Sequence, residues 1–190
     1  MRLKLIILLF LFPCFSYSKP QLLYPINDSQ LNYIYILFQW ENQEDSVYYK
    51  IQLSEDQNFE NVVVESQETQ LFYFEKENIE WNKLYYWRVG QKDDNNEYNL
   101  WSDISSFTTI SSTYELLEDT KGIEVIVHNP QKVFDGVLIF GSYFNNYSSA
   151  IDVYGNEVWN SGSANSFVFF NRSSYGELLG GIYNDNHSYI

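Results

Sequence analysis

After residue 18 the chain nowhere places apolar side chains at helical spacing over three turns; they alternate instead. Alternating runs occur at Tyr33 to Trp40, Val47 to Ser54, Asn61 to Glu65, Gln70 to Phe74, Leu84 to Val89 and Ser105 to Thr109. Between them lie turn-forming clusters, among them Glu41 to Asp45, Glu55 to Asn58 and Lys92 to Asn96. Alternation interrupted by such clusters predicts strands joined by turns, an all-β chain. Pro20 and Pro25 flank the entry, a place open to proline because an edge strand need not donate every N–H.

Counting by twos assigns faces. Ile34, Ile36, Phe38 and Trp40 share one side of their strand, and Tyr49, Ile51 and Leu53 share a side of the next. Tyr85, Trp87 and Val89 share a third, which turns Tyr86 and Arg88 outward. Three strands with one apolar face each predict two sheets packed over a common core, and Lys19 to Thr109 is a suitable length for such a sandwich.

The first 18 residues read as an export signal. Arg2 and Lys4 precede an unbroken apolar run from Leu5 to Phe12, and Ser16-Tyr17-Ser18 offers small residues at −3 and −1 for cleavage before Lys19. The run is short of the roughly 20 apolar residues a membrane-spanning helix needs, so no transmembrane segment is expected in the mature chain. A lipoprotein anchored through Cys14 is disfavoured by Phe12-Pro13, since lipidation signals take small residues there. The expected location is secreted, periplasmic or extracellular. Cleavage would remove the one Cys and two bases, taking the formal charge from −14 to −16. Stability would then rest on packed surface, for which the 19% aromatic content is ample. Such an acidic chain gains nothing from counterion release, which argues against nucleic acid as a partner. Asn-X-Ser sequons stand at Asn27, Asn146, Asn171 and Asn186, as expected by chance in an Asn- and Ser-rich sequence.

Phe38-Gln39-Trp40, Tyr49-Lys50-Ile51-Gln52-Leu53-Ser54, Phe59, Tyr85-Tyr86-Trp87-Arg88-Val89, Leu100-Trp101-Ser102 and Phe107-Thr108-Thr109 follow in that order. In this succession residues 19–109 resemble a bacterial-type fibronectin type III domain. The resemblance implies that Tyr85 is a corner tyrosine bonding back to the preceding loop, and that Trp40 is a core aromatic of the second strand. In place of the family's Pro-Gly turn before the corner strand stands Asn82-Lys83.

Residues 110–120 are polar and acidic and read as a linker. Beyond it strands are expected at Ile123 to His128, Gly136 to Phe140, Ala150 to Val153, Glu157 to Trp159, Ser166 to Phe170 and Glu177 to Tyr183. Gly136 to Ser148 lies over Gly176 to Ser188 at an offset of 40, with identities at Gly136/Gly176, Leu138/Leu178, Gly141/Gly181, Tyr143/Tyr183, Asn146/Asn186 and Ser148/Ser188. That period suits a four-stranded propeller blade. Residues 121–190 hold about one and a half blades, so the expected fold is a fibronectin type III-like β-sandwich followed by the incomplete start of a β-propeller, the amino-terminal part of a longer protein.

Asp135 to Phe140, Ile151-Asp152-Val153-Tyr154-Gly155-Asn156-Glu157-Val158-Trp159 and Gly176-Glu177-Leu178-Leu179-Gly180 together resemble the opening blade of bacterial arylsulfotransferases. The resemblance implies sulfuryl transfer from an aryl sulfate to a phenol through a histidine. That family's catalytic histidines and arginine lie in later blades, and nothing here matches them. No catalytic, cofactor-binding or metal residue is therefore assigned, no cofactor is implied, and this stretch by itself is expected to be inactive. The rival expectation is a non-catalytic exported binding or adhesion protein that contacts glycans or surface proteins.

Individual candidates have plain readings. His128 ends a strand, and His187 falls in a turn within Asn184 to Ser188; neither has a second histidine at metal spacing. Asp93, Asn95 and Glu97 alternate as calcium ligands do but lack the loop glycine and closing Glu, so they read as a hairpin turn. Asp152 with Asn156 reads as a turn brace. Tyr86, Arg88 and Trp101 are expected on one outer face, with Arg88 over the indole; a sugar-binding platform is the functional alternative.

Overall fold

A computed structural model of the chain describes residues 19–41, 48–92, 97–112, 129, 132, 136–142, 147–162, 166–174, 178–184 and 187–189. The segment expected as an export signal, most of the expected linker, the expected strand Ile123 to His128, and Asp93 and Asn95 lie outside the described residues.

The described elements are all strands: β1 (Gln21–Tyr24), β2 (Ser29–Leu31), β3 (Ile36–Glu41), β4 (Tyr49–Ser54), β5 (Val62–Glu68), β6 (Phe72–Glu75), β7 (Leu84–Lys92), β8 (Tyr98–Trp101), β9 (Ser105–Thr109), β10 (Leu138–Ser142), β11 (Tyr147–Ile151), β12 (Glu157–Asn160), β13 (Ser166–Arg172), β14 (Leu178–Asn184) and β15 (His187–Tyr189). The first nine form two sheets. One has the order β1-β3-β6; the other runs β2-β9-β7-β4-β5, with β8 paired to the far end of β7. Proline-flanked β1 is an edge strand, as its missing donors require.

The inward faces are those the alternation assigns. Phe38, Trp40, Tyr49, Ile51, Leu53, Tyr85, Trp87, Val89 and Phe107 are all within 2% of full burial. Ile34 only packs against this core from its margin, because β3 begins two residues later. Ring contacts knit the core: Phe38 of one sheet meets Trp87 of the other edge-on at 5.0 Å, and within the larger sheet Tyr85 stacks on its cross-strand partner Phe107 at 5.5 Å. Such pairs contribute about 0.5–1.5 kcal/mol each beyond the area they bury.

Tyr85 also fixes the corner before its strand. Its hydroxyl accepts the Glu80 amide at 3.0 Å. Asn82 takes a φ of 58°, the left-handed conformation that a Pro-Gly turn would give to glycine and that Asn tolerates better than most residues.

β10 to β12 form one three-stranded antiparallel sheet and β13 to β15 another. Strand β10 begins at Leu138 and β14 at Leu178, while β11 begins at Tyr147 and β15 at His187, so two hairpins recur 40 residues apart. The recurrence is not a copy of register. Gly141 pairs with Ser148, whereas Ser188 pairs with Tyr183 and His187 with Asn184. His187 accordingly opens a strand and is not in the turn expected for it.

The two sheets meet at very close range. A Cβ on Gly141 would stand 2.8 Å from both the Phe169 nitrogen and oxygen. Beside it the buried Ser148 hydroxyl donates to the Phe167 carbonyl at 2.9 Å and accepts the Phe169 amide at 2.6 Å. β13 thus lies directly on the Gly141–Ser148 pair, at the point where its own register with β14 shifts.

Candidate functional site

Two places gather polar and aromatic side chains. The first is the outward face of β4, β7 and β8. Alternation turns Tyr86, Arg88, Gly90 and Lys92 to this side of β7, and register sets Gln52 opposite Arg88 and Lys50 opposite Gly90. Trp101 pairs with Gly90, whose missing side chain is what lets the indole lie on the strand; a Cβ there would be 3.0 Å from the ring. The Arg88 guanidinium sits between two rings, 4.2 Å from Trp101 and 4.0 Å from Phe59. Its Nε and Nη2 both donate to the Gln52 oxygen, at 2.9 and 2.8 Å. Burial pulls the guanidinium below its ordinary pKa.

Cation and ring continue to alternate along this face. Lys50 Nζ stands 5.0 Å from the Tyr98 ring, and Lys92 Nζ stands 5.2 Å from Tyr98 and 4.8 Å from Tyr48. Lys50 also bonds Glu65 at 2.8 Å, which with Gln52 holds that carboxylate below its usual range. The expected contact of Arg88 with Trp101 is therefore present, within a longer ladder. Phe59, Tyr48, Tyr98 and Lys92 join it through cross-strand neighbours that run-by-run reading does not reach.

The second place is the junction between the halves. Strand β12 sets its free edge against residues 32–34: Tyr33 bridges Trp159, the Ile34 amide donates to Val158 and the Asn160 amide donates to Asn32, both at 3.0 Å. Trp81 Nε1 donates to the Glu157 carbonyl at 3.1 Å. A cleft of about 400 Å³ opens beside this seam, lined by Tyr35, Lys76, Glu77, Trp81, Asp152 and Asn156 among others.

In that lining Asp152 braces its turn. Its Oδ1 accepts the amides of Tyr154 and Asn156, and its Oδ2 accepts Asn156 Nδ2. With Gly155 at a φ of 92°, the turn closes β11 onto β12. The carboxylate is held by local donors, which is the bracing role expected of it and not that of a proton shuttle. Two other loop anchors went unread in the sequence. Asp56 accepts amides from Asn58, Glu60 and Asn61, and Glu75 accepts those of Glu77 and Asn78 and the Tyr73 hydroxyl.

Glu97, from the expected hairpin turn, accepts Asn99 Nδ2 at 3.2 Å. His128 lies outside the described residues, as do Asp93 and Asn95. Among the described residues no three of His, Cys, Asp and Glu gather as a metal ion would need, and no helix is long and apolar enough to cross a membrane.

No family model matches the chain and no curated protein matches it. Among solved structures it is similar to the solution structure of the fibronectin type-III domain of human fibronectin type III domain containing protein 3. Identity is 17% over 54% of this chain and 94% of that one, with a TM-score of 0.40.

Proposed function

We propose that this chain is the amino-terminal part of an exported propeller protein of the arylsulfotransferase kind, with a fibronectin type III-type sandwich as its docking domain. The observation that carries the docking role is the pairing of β12 with residues 32–34. A spacer on a loose linker would make no such contacts; here residues 32–34 of the sandwich lie along the free edge of the neighbouring sheet and bond to it. Support for the propeller comes from two three-stranded antiparallel sheets packed at Gly141, with hairpins 40 residues apart. Blades of that period assemble in rings of roughly four to eight. In this reading sulfuryl transfer from an aryl sulfate to a phenol belongs to histidines and arginines of later blades, and the residues described here hold the first blade in place.

The test is phenol release from an aryl sulfate in the presence of a phenolic acceptor. It compares residues 19–190 with a chain extended through its continuing reading frame. Turnover is expected only from the extended chain. Robust turnover by residues 19–190, or a continuation made of sandwich modules without 40-to-50-residue repeats, would overturn the proposal. A second reading, a non-catalytic module that contacts glycans or surface proteins, draws its support from the cation-bearing face of β7.

A further inference from the structure

In a chain with 25 acids and 11 bases, each cation should readily find a carboxylate. Lys19, Lys50 and Lys83 do, pairing with Asp103, Glu65, and Glu55 with Glu80. Arg88 and Lys92, like Lys76, Lys132 and Arg172, have no carboxylate within ion-pair distance among the described residues; what sets this pair apart is that both stand on the same face of one strand. Lys50 lies across from the residue midway between them. Two unpaired cations, Arg88 and Lys92, thus share one face with Lys50, which keeps its bond to Glu65, and all three are interleaved with the rings of Tyr48, Tyr98 and Trp101. Arg88 uses two of its five N–H donors on Gln52, and burial leaves its charge under-solvated.

We propose that this face binds an anionic polysaccharide, with its sulfate or carboxylate groups against Lys50, Arg88 and Lys92 and its sugar rings against the neighbouring aromatic side chains. Three features select that class. Arg88 and Lys92 are four residues apart on an extended strand, about 13 Å, which suits charges repeated along a polymer better than one small anion. The binding surface is an open sheet face, where an extended chain can lie, and not the enclosed pocket a small molecule prefers. Sparse negative charge also matters. A nucleic acid, with a charge every ~1.7 Å of duplex, would meet the repulsion of the whole acidic chain, whereas a widely spaced polyanion engages the local cations first. The inference deepens the glycan-contact reading and needs no catalytic blade, so a failed sulfuryl-transfer assay leaves it standing.

The experiment is retention of residues 19–190 on immobilised dextran of low sulfate substitution and on unsulfated dextran at low ionic strength. Retention is expected on the sulfated matrix alone, with release as salt shortens the screening length to about 8 Å near 0.15 M. Lys50→Gln and Lys92→Met should each weaken binding about fivefold, while Lys132→Gln, exposed and remote in sequence, should not. Lys92→Met keeps an apolar stem over the two tyrosines, and matching near-UV circular dichroism verifies the fold of each variant. No retention, equal retention on both matrices, or unchanged retention of a correctly folded double variant would overturn the proposal. Equal retention on polyglutamate would also overturn it, reassigning the face to an acidic protein partner.

Discussion

Asn32 and Asn160 hold each other twice across the junction. The Asn160 amide donates to the Asn32 carbonyl at 3.0 Å, and Asn32 Nδ2 returns a bond to the Asn160 carbonyl at 2.6 Å. Neither side chain is charged or apolar, yet the exchange sets where the second half sits on the sandwich.

Asn160→Pro deletes the amide that bonds Asn32. The expected result is loss of hydrogen-exchange protection at the Ile34 amide while core amides such as Val89 stay protected. Equal loss at both would mean that the halves unfold as one unit, and the joint would have no separate existence.

Tyr85→Phe leaves the Glu80 amide without its partner and otherwise keeps the ring. A cost of about 1–2 kcal/mol is expected in urea unfolding. Tyr86→Phe, on the outward side of the same strand, should stay within about 0.5 kcal/mol.

These positions also show what could be read from the chain alone. Tyr85, Trp87, and Arg88 with Trp101 were legible because alternation fixes which side of a strand each residue faces. β1, β2, β8 and β15 were not: each is only three or four residues long and, unlike the equally short β6 and β12, lies outside any apolar run set off by turn residues. The junction was equally hidden: Asn32 to Ile34 and Glu157 to Asn160 each read as parts of their own strands, and nothing in either marks the other. Glu75 was invisible for another reason. A carboxylate in an apolar run looks like a solvated residue until its loop folds over it.

Trp101→Ala removes one of the rings flanking Arg88 and uncovers Gly90. Stability should fall by about 1–3 kcal/mol. A double-mutant cycle with Arg88→Met should give a coupling of roughly 0.5–1 kcal/mol. Zero coupling would mean that the ladder is only a juxtaposition.

Gly141→Val forces a side chain onto the backbone of β13, with methyls beyond a Cβ already 2.8 Å from Phe169. Strong destabilisation of the second half is expected, while the near-UV signal of the sandwich core is retained. Ser148→Ala should cost less, about 1–3 kcal/mol, for the amide and carbonyl it leaves unpaired.

Glu75 supplies a pH dependence. Burial favours its neutral form, but the amides of Glu77 and Asn78, with the Tyr73 hydroxyl, prevail and hold its pKa below the ordinary glutamate value. Its folded pKa is depressed, so its stabilisation is complete above the usual glutamate range and is lost as pH falls through the folded value. Melting temperature against pH should therefore drop on the acid side, and Glu75→Gln should flatten that drop while lowering stability at pH 7.

Among the described residues, hydrogen bonds that join the two halves end on the main-chain carbonyls of Asn32, Ser111, Glu157, Val158 and Asn160. Every residue type carries that acceptor. Descendants of this sequence can therefore respell every acceptor of the seam so long as the side-chain donors Asn32, Trp81 and Asn160 persist, and three scattered residues are too few to make a recognisable motif.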